Sequence, residues 1–176
     1  YIYVNCYEET VSDPGATAIK VSDRHFGIGS DGLICICPSE IADFRMAMYN
    51  ADGSEGKMCG NGIRCVAKYV YDNKMTDKTV ITVETLSGVK TLRLHTENGL
   101  VKTVTVDMGA PELPPDKIPV SIPGCAEPVI REYPIQISGH DQQEYSITCV
   151  SMGNPHGIVY VDDVQQIDIE KIGPLF

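Results

Sequence analysis

The chain has 176 residues, of which 43% are hydrophobic, enough for the core of one large domain or of one domain and part of a second. Its formal net charge of −10 argues against nucleic acid as a partner, because a phosphate backbone is bound by a basic surface. Its seven cysteines are odd in number and include no Cys-x-x-Cys pair, which argues against both a disulfide scaffold and a structural zinc site.

Short strands dominate the first 108 residues of the sequence. Runs rich in β-branched and aromatic residues predict six strands, at Tyr1–Tyr7, Leu33–Cys37, Phe44–Asn50, Thr79–Thr85, Val89–His95 and Val101–Met108. Asn98-Gly99, between the last two runs, predicts a hairpin turn. Because Tyr1 is not Met and already lies in a strand-like run, we expect further sequence before it.

One amphipathic helix stands out after the third predicted strand. Its apolar side is formed by residues at helical spacing, namely Ile63, Val66, Ala67, Val70 and Tyr71. Charged residues occupy the other side, at positions 64, 68 and 72. A weaker pattern predicts a helix at Ala16–Val21, and a third helix is expected to begin near Asp163.

The segment Gly27–Gly32 matches the dinucleotide-binding pattern G-x-G-x-x-G. That fingerprint must follow a strand and open a helix, because the phosphates bind at the helix N-terminus. Here a predicted helix precedes the glycines and the strand Leu33–Cys37 follows them. We therefore interpret the segment as a glycine-rich turn that leads the chain into a sheet.

A proline-rich stretch without periodicity, residues 109–117, predicts a linker between two domains. The first domain then covers residues 1–108 and the second begins at residue 118. Strands are predicted in the second domain at Tyr133–Ile137, Tyr145–Ser151 and Ile158–Val161. Many strands and few helices predict an α+β fold, in which a mixed or antiparallel sheet wraps round the central helix.

The residues just before the amphipathic helix are typical of a catalytic site. Met58-Cys59-Gly60-Asn61-Gly62 leads directly into the helical pattern, so Cys59 faces the unpaired N–H groups and the positive end of the helix dipole. That setting favours a thiolate, and glycines let a ligand carboxylate approach the same amides. The alternative is a buried structural cysteine, which we expect for Cys35 and Cys37 because they share one face of a strand.

Four segments of the chain together resemble diaminopimelate epimerases. They are DRHFGIGSDGL at Asp23–Leu33, YNADGSEGKMCGNGIRC at Tyr49–Cys65, VDMGAP at Val106–Pro111 and MGNPHG at Met152–Gly157. The resemblance covers nearly the whole chain. It implies a fold of two similar domains, of which the second is incomplete in these 176 residues, and an enzyme that interconverts LL- and meso-diaminopimelate.

The resemblance also implies roles for individual residues. Cys59 matches one of two thiols that flank the substrate α-carbon, and His156 matches a histidine that tunes them. The positions that match substrate ligands of the family are Asn50, Gly60, Asn61 and Asn154. The family uses neither pyridoxal phosphate nor a metal, so we expect no cofactor and no metal site. Donors aimed at the α-carboxylate must instead stabilise the developing carbanion.

The sequence departs from the family pattern in several places. The family's second catalytic cysteine lies in a later glycine-rich motif that does not occur before Phe176, so we expect the second thiol outside this chain and the isolated chain to be inactive. Cys65 and Cys149 are both expected to lie away from the site. Gly32 stands where some members carry a substrate-binding glutamine, and Gly157 where many carry cysteine.

Two other functions stay open at this point. One is another cofactor-independent racemase of the proline type, and the other is a non-catalytic module that binds a carboxylate ligand on the same scaffold. In each case we expect a small molecule as the partner and neither nucleic acid nor a membrane. A homodimer stays open. The cysteine content favours the reducing cytoplasm.

Overall fold

The computed structural model describes residues 1–137 and 144–176. These residues form two compact units, Tyr1–Met108 and Gly109–Phe176. The stretch 109–117, expected as a linker, belongs to the second unit, where Glu112 and Ser151 exchange two backbone hydrogen bonds of 2.9 Å. No helix among the described residues is long and apolar enough to cross a membrane.

Within residues 1–108 the structure has seven strands and two helices. The strands are β1 (Ile2–Asn5), β2 (Gly32–Cys37), β3 (Phe44–Asn50), β4 (Glu55–Gly56), β5 (Val80–Thr85), β6 (Gly88–Glu97) and β7 (Leu100–Val106). The helices are α1 (Pro14–Ser22) and α2 (Gly60–Asp72). The six predicted strands and both predicted helices are therefore present, whereas the two-residue strand β4 carried no sequence pattern.

The seven strands form one mixed sheet in the order β1-β2-β3-β5-β6-β7, with β4 added beside β3. β1 pairs with β2 and β3 pairs with β5 in parallel, and the other neighbours are antiparallel. The apolar face of α2 packs into the largest core cluster, where Ile63, Val66 and Val70 are fully buried. The expected α+β fold with a sheet round a central helix is thus confirmed.

Local capping explains where the elements begin and end. Helix α1 begins two residues earlier than predicted because the Asp13 carboxylate accepts the Ala16 N–H and Pro14 occupies the first turn. Strand β1 ends earlier than predicted because the Asn5 side chain accepts the Tyr7 N–H and closes a turn. Asn98 and Gly99 both have positive φ, so the predicted hairpin turn is confirmed.

The described part of the second unit contains three antiparallel strands, β8 (Tyr133–Gln136), β9 (Glu144–Ser151) and β10 (Pro155–Val159), in the order β10-β9-β8. β10 begins and ends earlier than the predicted Ile158–Val161. The predicted third helix is also displaced, because Asp163 caps only a 3₁₀ turn, Val164–Gln166, and α3 (Ile169–Ile172) follows it.

Candidate active site

Cys59 is the N-cap residue of α2, with extended backbone dihedrals. Its Sγ accepts a hydrogen bond of 3.3 Å from the Gly62 N–H, and its carbonyl accepts the Ile63 N–H at 2.9 Å. The sulfur therefore takes the place that a serine or aspartate oxygen takes in most helix caps. The Gly62 amide and the positive end of the helix dipole therefore lie next to the sulfur.

The first turn of α2 is open on the side of Gly60. A Cβ atom on Gly60 would meet only Met108, at 3.9 Å, so a ligand has room beside this residue. The N–H groups of Gly60 and Asn61 lie in the first helical turn, where no intrahelical acceptor exists. The Asn61 side-chain oxygen accepts a hydrogen bond from Arg64, which fixes that side chain along the helix.

Gly62, in contrast, is tightly enclosed. Its Cβ position lies 2.6 Å from Ile34 Cδ1 and 3.4 Å from Cys59 Sγ. Because Ile34 is fully buried, it has little room to move away. Glycine at this position lets α2 approach β2 closely enough to hold the Cys59 sulfur against the Gly62 amide.

Asn50 is the last residue of β3 and begins a tight turn. Its N–H donates to the Ser54 carbonyl at 2.8 Å, and its Nδ2 donates to Ser54 Oγ at 3.0 Å. Ser54 in turn binds the Asp52 carboxylate, which lowers the pKa of Asp52. The Asn50 amide is thereby held in one orientation by a short hydrogen-bonded chain.

A row of residues across three strands leads from Asn50 through Gly32 to Tyr1. Gly32 of β2 pairs with Asn50 of β3. Tyr1 precedes β1 beside Gly32, and its Cε1 lies 2.9 Å from the position of a Cβ on Gly32. Burial, and then the charges of the nearby Cys59 and Asp31 side chains, raise the pKa of Tyr1. The position of Tyr1 beside Gly32 was not predicted, since the sequence signal of Tyr1 was only the repeat of tyrosine at positions 1 and 3 of one strand run.

Asn154 and His156 belong to the second unit, at the hairpin between β9 and β10. Asn154 Nδ2 lies 3.5 Å from His156 Nε2, and both residues are exposed. Gly153 has positive φ and donates its N–H to Ser151 Oγ at 3.3 Å, which shapes the turn. His156 itself lies on β10, paired with Val150. The two predicted site residues are therefore neighbours of each other.

Four of the other six cysteines, Cys35, Cys37, Cys65 and Cys149, differ from Cys59 in their surroundings. Burial raises the pKa of Cys35 to about 12 and that of Cys37 to about 11, and both pack in the small core beneath α1. Cys149 is buried in the second unit, and burial also raises its pKa. Cys65 is exposed on α2, six residues after Cys59. The core location expected for Cys35 and Cys37 is confirmed.

The glycine-rich segment after α1 is a turn, as predicted. The Gly27 N–H donates to Asp23 O at 3.0 Å, and the N–H groups of Ile28 and Gly29 donate to Val21 O. The order is therefore helix, turn, strand, the reverse of a dinucleotide site. Within the described residues, no three His, Cys, Asp or Glu side chains are grouped so as to hold a metal ion.

Comparison with known proteins supports a family relationship. The family model described as diaminopimelate epimerase matches residues 1–114. The diaminopimelate epimerase of Acetivibrio thermocellus is 58% identical over 174 residues, which are 99% of this chain and 60% of that protein. The diaminopimelate epimerase of Agathobacter rectalis is 58% identical over 180 residues, 100% of this chain and 62% of that protein. The chain thus spans about 60% of the length of these curated relatives.

The fold is shared with solved structures of more distant sequence. The crystal structure of a probable proline racemase from Agrobacterium radiobacter superimposes with a TM-score of 0.62 at 16% identity. The match covers 92% of this chain and 42% of that one. At this identity the likeness shows the fold alone.

Proposed function

The chain belongs to the diaminopimelate epimerase family, and from this we propose that the protein containing it interconverts LL- and meso-diaminopimelate without a cofactor. The observation that carries the proposal is the position of Cys59 at the start of α2, with the Gly62 N–H bonded to its sulfur. A thiol and two open amides lie side by side there, as removal of a proton next to a carboxylate requires.

In this mechanism the Cys59 thiolate takes the substrate α-proton, and the electron pair of the C–H bond passes to the carboxylate. The amides of Gly60 and Asn61 bind that carboxylate and stabilise its added charge. A second thiol delivers a proton to the opposite face of the carbon and inverts it. Burial raises the pKa of Cys35, Cys37 and Cys149, which keeps these thiols protonated. Following the resemblance to the family, we assign the second thiol to sequence outside these 176 residues.

The side chains assigned to the substrate fit this chemistry. Asn50 offers an amide held by Ser54, which reduces the entropy lost when a ligand binds. We assign Asn154 as a further ligand, and His156, beside it, as the residue that tunes the thiols. The seven free cysteines fit a reducing compartment, and we propose the cytoplasm.

A rival assignment, a module that binds a carboxylate without turning it over, has the same amides but no need of a thiol. The full-length protein incubated with LL-diaminopimelate and a metal chelator, with no added pyridoxal phosphate, separates the two. We expect meso-diaminopimelate to appear in chiral chromatography until both forms coexist. Binding of the substrate without formation of the meso form would refute the proposal and favour the rival. Turnover of proline in place of diaminopimelate would assign the protein to the proline-type racemases.

A further inference from the structure

Cys6 and Cys37 lie next to each other where the first two strands end. β1 pairs with β2 in parallel, and Asn5 opposite Ile36 is the last pair of that register. The Cys6 N–H then donates to the Ile36 carbonyl at 2.9 Å, and this carbonyl belongs to the peptide bond that leads into Cys37. One hydrogen bond of the sheet therefore holds the two cysteines side by side.

The side chains of both cysteines lie on one face of the sheet and share one cavity. Each packs against the small core cluster beneath α1, and together with Cys35 they line a cavity of about 280 Å³. Cys6 and Cys37 are partly exposed there, whereas Cys35 is only 2% exposed. Because a water molecule occupies about 30 Å³ of liquid volume, a small polar oxidant has room to enter.

The backbone spacing fits a disulfide between Cys6 and Cys37. Adjacent residues on neighbouring strands are about 5 Å apart, within the range of about 4.4–6.8 Å between Cα atoms that a disulfide spans. Cys35 lies two residues earlier on β2, which places its Cα on the order of 8 Å from that of Cys6. A bridge from Cys6 to Cys35 would therefore require the backbone to move.

We propose that Cys6 and Cys37 form a reversible disulfide when the protein meets hydrogen peroxide, at a site separate from Cys59. Cys59 packs against the core cluster on the other face of the sheet, on the side of α2. Cys37 also lies five residues along β2 from Gly32, about 16 Å at the rise of a strand. The inference goes beyond the proposed function, since neither thiol is assigned to the substrate.

The reaction balances with one molecule of hydrogen peroxide. The Cys6 sulfur attacks a peroxide oxygen, the O–O bond breaks, and a sulfenic acid forms while the other oxygen leaves as water. The Cys37 sulfur then attacks the Cys6 sulfur, the S–S bond forms, and a second water leaves. The two thiols together lose two electrons and two protons, and the peroxide is reduced to two waters.

The surroundings of Cys37 suit the second of these steps. Burial, followed by the neighbouring Cys6, raises the pKa of Cys37 to about 11, so this thiol is a poor first nucleophile. Arg45 stands opposite Cys37 on β3, and its charge favours the thiolate once Cys6 has been oxidised. In a reducing compartment the resulting bond is transient, and it protects Cys6 from irreversible oxidation.

The test uses the full-length protein treated with hydrogen peroxide, then unfolded in urea with N-ethylmaleimide and digested with trypsin without reductant. We expect mass spectrometry to detect the peptides of Cys6 and Cys37 joined, two hydrogen masses below their sum, and dithiothreitol to release them. Cys35 and Cys37 fall in one tryptic peptide, so fragmentation must show the maleimide on Cys35. Cys6→Ser and Cys37→Ser should lose the joined peptide, whereas Cys35→Ala, the matched control on the same face, should retain it.

The other outcomes contradict the inference. Absence of the joined peptide from the wild type, at peroxide concentrations that oxidise Cys59, would overturn it without reference to any variant. A bond between Cys6 and Cys35, or a joined peptide that persists in Cys37→Ser, would overturn the pairing that the sheet register predicts. Circular dichroism of each reduced variant shows whether its fold is intact. Failure of the full-length protein to epimerise diaminopimelate would remove the proposed function and leave the disulfide unaffected.

Discussion

Gly62 of α2 lies against Ile34 of β2 so closely that a Cβ atom on Gly62 would stand 2.6 Å from Ile34 Cδ1. The contact fixes the distance between α2 and the sheet, and with it the position of the Cys59 sulfur, 3.3 Å from the Gly62 nitrogen.

Gly62→Ala is therefore expected to destabilise the protein although alanine is the better helix former. Overpacking against a buried side chain lowers the free energy of unfolding by about 1–3 kcal/mol, and the better helix propensity of alanine offsets about 1 kcal/mol of this loss. Gly60→Ala is the matched control, because its Cβ would meet only Met108 at an ordinary 3.9 Å. Urea denaturation should show a lower free energy of unfolding for Gly62→Ala alone. Equal stabilities of the two variants would contradict the packing argument.

Cys59 is expected to react fastest of the seven cysteines with iodoacetamide at neutral pH. Its sulfur accepts the Gly62 N–H at a helix start, whereas burial raises the pKa of Cys35 to about 12 and of Cys37 to about 11. Cys65 is more exposed than Cys59 but lies in the middle of α2. Comparing the rates of these two cysteines therefore shows whether exposure or the local electrostatic environment determines reactivity. Brief labelling followed by peptide mass spectrometry gives the order, and labelling in urea should equalise the rates. Faster reaction of Cys65 or Cys35 in the folded protein would count against the assignment of Cys59.

Much of the local structure can be predicted from the sequence, because each element carries its own signal. The strand Phe44–Asn50 has both ends where the apolar pattern places them, and Asn98-Gly99 makes the turn that positive φ requires. The start of β10 at Pro155 was missed, because Gly153, Asn154 and the proline itself are typical of a loop. Local sequence patterns therefore predict which elements form, but not every element boundary.

The relationships that build the candidate site are long-range and have no local signal. Tyr1 lies beside Gly32 only because β1 adds in parallel beside β2, in a register set by the whole sheet. The close approach of Gly62 to Ile34 likewise depends on how α2 packs across strands that are distant in sequence. The sequence indicated Asn50, but only the fold reveals that Gly32 pairs with it and that Tyr1 lies against Gly32.

The Asp43 carboxylate should contribute to stability in a pH-dependent way. Hydrogen bonds from Lys78, then from the Thr82 N–H at 2.8 Å, lower the pKa of Asp43. Because the folded-state pKa is lower than the unfolded one, the contribution is present above about pH 4 and lost as the pH falls through the folded-state value. Asp43→Asn should cost about 1 kcal/mol at pH 7 and much less near pH 2. Asp162→Asn, an exposed site in the second unit, is the control. A cost that does not change with pH would refute the ionic explanation.

The 176-residue chain expressed alone is expected to show no useful conversion of LL- to meso-diaminopimelate. Inversion needs an acid–base group on each face of one carbon, and the proposal places only Cys59 in this chain. Removing one member of a catalytic unit costs most of its effect. Chiral chromatography of the product, with the full-length protein assayed in parallel, provides the comparison. Full activity of the shorter chain would mean that one of its other thiols completes the pair, and Cys149 would be the first to replace.

The most direct test of the account is the exchange of the substrate α-proton with solvent deuterium, followed by NMR in the full-length protein. If the Cys59 sulfur is an acid–base group of the reaction, Cys59→Ser should lower exchange and epimerisation together by about a thousandfold or more. Cys65→Ser, six residues along the same helix, should leave both rates near those of wild type. Exchange at the wild-type rate in Cys59→Ser would contradict the central claim that Cys59 is a catalytic thiol.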